Sequence, residues 1–562
     1  MTATSPTSEH GRTGADLVVE CLAAEGVRTV AGVPGTTVMD LIDSIARQDS
    51  IRFIATRHEQ VAGSMADGVS RGGRAPGVAL VSRAPGAANL AVAVQNAFDE
   101  SVPMLVLVGQ VSGAIVERRA FEEMDVIAMF RPITKWAVEI HEAARIPELL
   151  QRAVRASVSG RPGPVVVSLP LDVLQAIVAQ DVRPAPRLRT HVPAPAPAAL
   201  LEADTLLASA QRPVMILGGG AAGDPEPYLA LADRLGAAVV NTWMRQSVIP
   251  HDAPAYLGGL GYGAHDVTER AVREADVILA LGCRFSEFTT KRWTLVSPDS
   301  ALVHVDVDAE EIGRVYPPRV GIVSDARLAV EALDARLSQR TPADASWRNR
   351  LRAEFEQVTS LTAPHLSTDD PADGVSGISG VVALQRLLER PDILLVQDAP
   401  SFVPWTHRYL RPVRPRSVFG SAGGAMAWGL PAAMGLSIAR PDDRVVTVSG
   451  DGSFWMVAQD FETCVRENLP LVNVVMNNFA YGNTRDRQRS AHDERYLGVF
   501  YDNLDFAGFS RSLGGFGARV EKGDDLEAAL EEALKQEKPA IIDVIQDQMY
   551  GLPPGLVPLP AK

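Results

Sequence analysis

The sequence is poor in cysteine and has no long apolar run. Its 562 residues include three cysteines, Cys21, Cys283 and Cys464, and none stands in a CxxC or Cys/His spacing. This pattern excludes a disulfide framework and a zinc site of the usual spacing. No apolar stretch approaches the ~18 residues of a membrane helix, and residues 1–16 lack the pattern of a signal peptide. We therefore predict a soluble, cytoplasmic protein with no membrane partner.

Positive charge is also in short supply. The chain has 54 Lys and Arg against 68 Asp and Glu, which gives a net charge of −14. Binding to nucleic acid irrespective of its sequence needs a positive field, which such a chain does not supply on average. We expect no nucleic-acid partner, and a small molecule as substrate.

The chain is rich in short apolar runs that alternate with helical patterns along its whole length. Such alternation predicts parallel sheets covered by helices on both faces. A proline-rich segment at 181–198 and a polar loop at 362–377 interrupt it. We predict an α/β protein with three doubly wound parallel-sheet domains, at residues 13–180, 199–340 and 376–550. The proline-rich tail is predicted as either a loose end or a strap over a neighbouring surface.

Two motifs follow neighbouring apolar strands in the third predicted domain. The motif GDGS occupies residues 450–453, and the pair Asn477–Asn478 ends another strand, with 24 residues between the GDG and the pair. Each motif alone is typical of a turn. The carboxyl ends of parallel strands face one crevice, however, and Asp and Asn oxygens suit Mg²⁺ that also binds phosphate oxygens. The pattern favours a magnesium and diphosphate site.

Taken together, the two motifs resemble the thiamine-diphosphate fingerprint of the family that includes acetolactate synthase, pyruvate decarboxylase and benzaldehyde lyase. The resemblance implies that Asp451, the side chain of Asn478 and the backbone carbonyl of Ala480 ligate Mg²⁺, which bridges to the diphosphate. It also implies a set of cofactor-binding residues: Gly424, Met426, Asp451, Gly452, Ser453, Asn478, Ala480, Tyr481 and Gly482.

Met426 lies in the glycine-rich run GGAMAWGLP at 423–431. It falls where the family has a bulky apolar residue that bends the cofactor into a V shape. That shape brings the aminopyrimidine nitrogen against the thiazolium C2, so proton removal becomes a preoriented step. Without the resemblance, this methionine would equally be interpreted as filling a core.

Glu59 stands where the strand IRFIAT gives way to a helical pattern. A carboxylate at a helix N-terminus needs no function, since it stabilises the helix by about 0.3–1 kcal/mol. The surrounding RHEQ, the later ADG at 66–68 and PG-x-x-N at 85–89 resemble the pyrimidine-binding domain of the same family. There a glutamate hydrogen-bonds the pyrimidine N1′ and promotes removal of the C2 proton. Glu59 is the predicted catalytic residue.

The resemblance spans residues 13–550 and bears on assembly and on a second cofactor. Glu59 and the magnesium residues fall in different domains, and family members complete the site between two subunits, so a homodimer or homotetramer is implied. Gly218–Ala221 and Arg284 lie where relatives with FAD place part of that cofactor. Because the loop is not GxGxxG, an ordinary turn is the favoured interpretation, and FAD is not favoured.

The substrate pocket departs from that of acetolactate synthase. By likeness to that enzyme, four residues line the pocket: Thr36, Phe121, Glu122 and Arg487. Four positions differ from its pattern: Glu122 replaces a glutamine, Leu171 a lysine, Phe288 an arginine and Arg487 a tryptophan. Arg485 and Arg487 are candidates to hold an anionic substrate, although arginines on such a helix more often form a solvated face.

The loss of two cations and the gain of Glu122 disfavour a second 2-oxo acid as acceptor. We therefore predict a 2-oxo acid decarboxylase and carboligase that uses a non-standard, neutral acceptor. The alternative is a lyase similar to benzaldehyde lyase or 2-hydroxyacyl-CoA lyase, which cleaves a 2-hydroxy ketone. A third hypothesis, a non-catalytic paralogue, is disfavoured because Glu59, Asp451 and Asn478 are all retained.

Overall fold

The computed structural model describes residues 11–73, 75–188, 190–338, 340–363, 366, 369–398, 401–549 and 551–556. Residues 1–10 and most of the proline-rich tail lie outside this range, and with them the prediction of a loose end or strap. The described residues form three six-stranded parallel sheets and divide into two compact units. The first unit comprises Met1–Thr190, Gly423–Pro441 and Val457–Leu469, and the second unit comprises the remainder.

The first unit contains the first sheet. Its strands are β1 (Thr29–Gly32), β2 (Arg52–Ala55), β3 (Gly77–Ser82), β4 (Met104–Gln110), β5 (Trp136–Glu139) and β6 (Pro164–Pro170), in the order β2-β1-β3-β4-β6-β5. Its helices are α1 (Gly14–Ala24), α2 (Met39–Ala46), α3 (Glu59–Gly72), α4 (Arg83–Glu100), α5 (Val126–Phe130), α6 (Ile146–Val158) and α7 (Leu171–Gln175). Every residue of β4 and β6 is buried, as expected for strands covered on both faces.

The second unit contains the other two sheets. The central sheet has β7 (Pro213–Leu217), β8 (Ala238–Asn241), β9 (Tyr256–Gly259), β10 (Val277–Leu281), β11 (Ala301–Asp306) and β12 (Val320–Val323), in the order β12-β11-β10-β7-β8-β9. Its helices are α8 (Pro197–Ser209), α9 (Glu226–Leu235), α10 (Asp266–Glu274), α11 (Ala326–Leu337) and α12 (Ser346–Thr359).

The third sheet repeats the strand order of the first. It has β13 (Ile393–Gln397), β14 (Val418–Gly420), β15 (Arg444–Gly450), β16 (Val472–Asn477), β17 (Phe516–Val520) and β18 (Ala540–Ile545), in the order β14-β13-β15-β16-β18-β17. The helices of this part of the chain are α13 (Gly377–Leu388), α14 (Val403–Tyr409), α15 (Gly429–Ala439), α16 (Asp451–Trp455), α17 (Phe461–Arg466), α18 (Gly482–Ala491), α19 (Phe506–Ser512) and α20 (Gly523–Lys535). Of these, α15 and α17 belong to the first unit.

The predicted fold class is confirmed by these three parallel sheets with their flanking helices. The domain boundaries predicted from the proline-rich segments stay a prediction. Among the described residues, no helix is long and apolar enough to cross a membrane.

Within the first unit, α3 crosses α15 at very short range. A Cβ on Gly68 would lie 2.1 Å from the carbonyl oxygen of Ala432, and a Cβ on Gly435 would lie 2.0 Å from that of Met65. Both helices therefore need glycine at the crossing, because any side chain would meet backbone. The crossing therefore packs the middle of α3 directly against α15.

Buried histidines of the second unit make its stability depend on pH. Burial lowers the pKa of His251 to about 3 and that of His407 to about 4, and the cations of Arg411 and Arg352 lower that of His251 further. The unfolded chain binds protons at these sites below about pH 6.5, whereas the folded chain does not. Stability is therefore lost as pH falls from about 6.5 toward 4.

We expect each histidine to contribute about 1.4 kcal/mol of destabilisation per pH unit in that window. The measurement is the thermal midpoint of the wild type and of His407→Gln at several pH values. In the variant, the thermal midpoint should fall less steeply as the pH is lowered. Any change in stability caused by the substitution itself should shift the midpoint by the same amount at every pH. Equal slopes for the two proteins would contradict the assignment.

Candidate active site

Glu59 is the first residue of α3 and is half-buried. The turn before it is fixed, because Nδ1 of His58 accepts a hydrogen bond from the backbone N–H of Gln60 at 3.2 Å. The carboxylate is turned toward α4. Nδ2 of Asn89 donates to Oε2 at 2.9 Å, and a Cβ on Gly86 would lie 3.3 Å from Oε1. The structure therefore brings together three residues that the sequence motifs singled out separately.

Met426 lies in the same unit as Glu59. Nε2 of Gln60 donates a hydrogen bond to the backbone carbonyl oxygen of Met426 at 3.4 Å. Gly424 and Ala427 both have left-handed backbone conformations, with φ of 74° and 67°, and the latter is uncommon for a residue with a side chain. The irregular run before α15 thus holds Met426 beside the residue that follows Glu59. Its contact with the cofactor stays a prediction.

Asp451 is the first residue of α16, directly after β15, and only 2% of it is exposed. Its Oδ1 accepts the backbone N–H of Gly452 at 2.9 Å, and its Oδ2 accepts Nδ2 of Asn503 at 2.8 Å. The same amide donates to Oδ1 of Asn477 at 2.7 Å. Asn503 therefore joins the ends of β15 and β16. Sequence reasoning missed Asn503, because it lies in a loop without a motif.

The segment around Asn478 contacts the segment around Gly452. Oδ1 of Asn478 accepts the backbone N–H of Ala480 at 3.3 Å, and a Cβ on Gly482 would lie 2.9 Å from Nδ2 of Asn478. A Cβ on Gly452 would lie 2.6 Å from Cε1 of Tyr481. The two predicted motifs are thus in contact, and the ring of Tyr481 covers the backbone at Gly452.

Ser453 directly follows Gly452 and contacts the end of another strand. Its hydroxyl donates to Oδ2 of Asp398 at 2.6 Å, and both residues are buried. Asp398 directly follows β13, which is the neighbour of β15 where the strand order of the third sheet reverses. In parallel sheets, ligands bind outside the carboxyl ends of the strands at such a reversal.

The residues present fit Mg²⁺ with a diphosphate. Burial raises the pKa of Asp451 to about 6, although its hydrogen bonds act in the opposite direction. A nearby cation favours the ionised form of such a carboxylate. The described residues contain no cluster of three His, Cys, Asp or Glu side chains suited to a metal. One carboxylate with amide and carbonyl oxygens, completed by phosphate oxygens, is instead the donor set that Mg²⁺ takes.

Arg83, which sequence reasoning missed, contacts three of the predicted substrate-pocket residues. Arg83 is the first residue of α4, and its side chain is 13% exposed. Its guanidinium donates to Oγ1 of Thr36 and, at 2.9 Å, to the carbonyl oxygen of Phe121. Its Nε lies 3.4 Å from Oε2 of Glu122. The guanidinium also lies 5.4 Å from the centre of the Phe121 ring.

The two arginines of α18 differ in their surroundings. Arg487 is exposed, whereas Arg485 is fully buried. The guanidinium of Arg485 pairs with Asp486 at 2.8 Å and donates to the carbonyl oxygen of Gln548. The prediction of a solvated face was wrong for Arg485, whose charge is used inside the protein to hold the segment after β18. The pocket role of Arg487 stays a prediction.

The other two departures are apolar residues. Leu171 is the half-buried first residue of α7. The ring of Phe288 stacks on that of Trp243, with the ring centres 4.6 Å apart, and Phe288 remains 38% exposed. Neither position therefore offers a cation to a substrate carboxylate.

The glycine-rich loop of the central sheet is packed against backbone. A Cβ on Gly218 would lie 1.9 Å from the carbonyl oxygen of Gly282, and a Cβ on Gly220 would lie 2.9 Å from the Cα of Gly282. These loops follow β7 and β10, the strands at which the order of that sheet reverses. The geometry is that of a tight turn, and the preference against FAD stays a prediction.

Comparison with family models accounts for all three parts of the chain. The N-terminal TPP binding domain of thiamine pyrophosphate enzymes matches residues 12–129, the central domain matches residues 200–333, and the C-terminal TPP binding domain matches residues 398–544. The first and third matches contain Glu59 and Asp451, respectively.

Similar proteins cover almost the whole chain. The probable acetolactate synthase large subunit of Methanocaldococcus jannaschii is 31% identical over 96% of this chain and 93% of its own length. The acetolactate synthase isozyme 1 large subunit of Escherichia coli K12 is 30% identical over 99% of this chain and 98% of its own. The isozyme 2 large subunit of the same organism is 32% identical over 96% and 98%. The chain therefore belongs to the acetolactate synthase family of thiamine-diphosphate-dependent enzymes, which form or break carbon–carbon bonds in small molecules.

Proposed function

We propose that this chain is a Mg²⁺-dependent 2-oxo acid decarboxylase and carboligase that transfers the remaining acyl unit to a neutral carbonyl acceptor such as an aldehyde. Glu59 is its catalytic residue. Asp451, Asn478 and the carbonyl of Ala480 hold Mg²⁺, and the enzyme works in the cytoplasm as a homodimer or homotetramer. The curated relatives above are named for acetolactate synthesis, so the proposed difference lies in the acceptor.

The pocket charge carries this proposal. The carboxylate of Glu122 lies in the group formed by Thr36, Phe121 and Arg83, and the guanidinium of that group is already paired with it. Leu171 and Phe288 supply no further cation. A second 2-oxo acid would bring its own carboxylate toward Glu122, and this repulsion disfavours it relative to an uncharged carbonyl.

The residues of this chain have separable roles in such a reaction. Thiamine diphosphate, when bound, would supply a nucleophilic C2 carbon once its proton is removed, and a cationic ring that can accept the electron pair of a breaking bond. Glu59 holds the proton that sets the reactive tautomer of the pyrimidine. Asn89 orients that carboxylate through its hydrogen bond, and Gly86 leaves room for it. Asp451 anchors the opposite, anionic end through the metal.

The test is a comparison of two products made by the wild type. With pyruvate alone, we expect acetolactate to form about two to four orders of magnitude more slowly than in a dedicated acetolactate synthase, because two charge-assisted contacts of about 1.5–3 kcal/mol each are missing. It should also form more slowly than hydroxyketone forms from pyruvate plus an aldehyde. Both products are quantified together with released CO₂. Acetolactate formation as fast as hydroxyketone formation would contradict the neutral acceptor. Cleavage of a 2-hydroxy ketone without CO₂ release from any 2-oxo acid would favour the lyase instead.

A further inference from the structure

We propose that Arg83 is a specificity-determining residue for the acceptor, and that Glu122 is a built-in carboxylate that occupies its guanidinium. This inference rests on the proposed function, and names the pair that keeps a second anionic substrate out. Removing the Glu122 charge, with Arg83 left in place, should convert the pocket into one that accepts a 2-oxo acid.

The first observation is the position of the pair in the fold. In the first sheet, the strand order reverses between β1 and β3, which are hydrogen-bonded neighbours. Thr36 begins a short 3-10 helix (Thr36–Val38) after β1, and Arg83 directly follows β3. The contact between these two side chains therefore spans the crevice in which parallel sheets bind their ligands.

The second observation is the distance along α4 to the catalytic carboxylate. Arg83, Gly86 and Asn89 are spaced three residues apart on this helix, and a helix rises about 1.5 Å per residue. Gly86 and Asn89 both face the carboxylate of Glu59. Arg83 thus lies less than one turn before Gly86, the first residue of this helix that lies beside Glu59.

The third observation is that Arg83 and Glu122 each occupy a position that is unfavourable for a residue of their type. A cation at the first position of a helix faces the positive end of the helix dipole, where an anion is favoured. Glu122 has a φ of 59°, a left-handed conformation that costs energy in a residue with a side chain. Its backbone is held there, since its carbonyl oxygen accepts the N–H of Ala84 at 3.3 Å. Departures of this kind concentrate at functional positions.

The donors of Arg83 explain the selectivity. One N–H is given to Thr36 and one to the Phe121 carbonyl, while Nε is buried, makes no hydrogen bond to any described residue, and lies 3.4 Å from Glu122. A substrate carboxylate would compete with Glu122 for this edge of the guanidinium, and two carboxylates there would repel each other. A neutral carbonyl acceptor leaves the pair undisturbed.

The experiment compares one single variant and one double variant with the wild type, all as holoenzyme. Glu122→Gln should raise the ratio of acetolactate to hydroxyketone by about tenfold or more, because the guanidinium gains a free charge-assisted contact. The double variant Arg83→Gln, Glu122→Gln should lose this gain. Glu117→Gln is the matched control. Glu117 is an exposed glutamate of the same loop with a left-handed backbone conformation, and its side chain is not paired with Arg83. It should leave the ratio unchanged.

A second readout uses the cofactor-free protein and pyruvate alone. In saturation-transfer NMR, Glu122→Gln should bind pyruvate more tightly than the wild type, and the double variant should not. Equal ratios and equal pyruvate binding in the wild type and Glu122→Gln would overturn the role of the pair. If the wild type releases no CO₂ from any 2-oxo acid, the proposed function fails, and the NMR comparison alone decides the role of Arg83.

Discussion

Replacing Glu59 by glutamine is expected to slow exchange of the C2 proton of bound thiamine diphosphate by about two to four orders of magnitude, the usual contribution of a positioned acid or base. The variant should fold, because a glutamine oxygen can still accept the hydrogen bond from Asn89 that Glu59 accepts at 2.9 Å. Exchange is measured by NMR on the acid-quenched cofactor. Cofactor binding is measured separately by thermal shift.

The control for this variant is Glu226→Gln. Glu226 is the exposed first residue of α9, so it tests the effect of removing a carboxylate from a helix N-terminus without touching the candidate site. We expect normal C2 exchange in this control. Wild-type exchange in Glu59→Gln would remove Glu59 from the mechanism, whatever the control shows.

Replacing Asp451 by alanine is expected to abolish Mg²⁺-dependent binding of the cofactor. The diphosphate would lose the metal bridge that offsets its charge. In the wild type, cofactor and Mg²⁺ at a hundredfold excess over the dissociation constant should raise stability by about 2.7 kcal/mol, because they bind only the folded state. The thermal shift on adding both should disappear in the variant.

The alanine also leaves the N–H of Gly452 and the amide of Asn503 without their partner, so the starting stability will fall. Asp204→Asn controls for this loss, because Asp204 is a buried carboxylate of α8 paired with Arg340. Its stability should fall while the thermal shift on adding cofactor and Mg²⁺ is kept. A full thermal shift in Asp451→Ala would show that the metal is held elsewhere.

The strands, and the positions of Asp451 and Asn478 at the ends of two neighbouring strands, were predictable because each depends on a local pattern. The apolar runs that became β4, β6, β10 and β16 are buried on both faces, which leaves a nearly continuous hydrophobic signal. Asp451 and Asn478 follow such runs directly, and the carboxyl ends of neighbouring strands must share one edge of the sheet.

The rest of the site was not predictable because it depends on contacts between distant segments. Thr36 and Arg83 are 47 residues apart, and Glu122 lies in a later loop of the chain. No period or motif links an arginine after one strand to a glutamate in that loop. Asn503 bridges two strand ends from a loop that carries no signal of its own. For Arg485, a polar helical run indicated exposure, but a local carboxylate and a backbone carbonyl satisfied its charge inside the protein.

Because the first and third sheets share one strand order, residues at corresponding positions of the two sheets can be compared. The third strand in chain order is followed directly by Arg83 in the first sheet and by Asp451 in the third sheet, each as the first residue of the next helix. The same position therefore carries a cation in the first sheet and an anion in the third sheet. Each of these side chains favours a partner of opposite charge. In the central sheet, the equivalent opening is filled by glycine backbone at Gly218 and Gly282. Where the strand order reverses, the three sheets therefore differ: the first has a cation, the third has an anion, and the central sheet has closely packed glycine backbone.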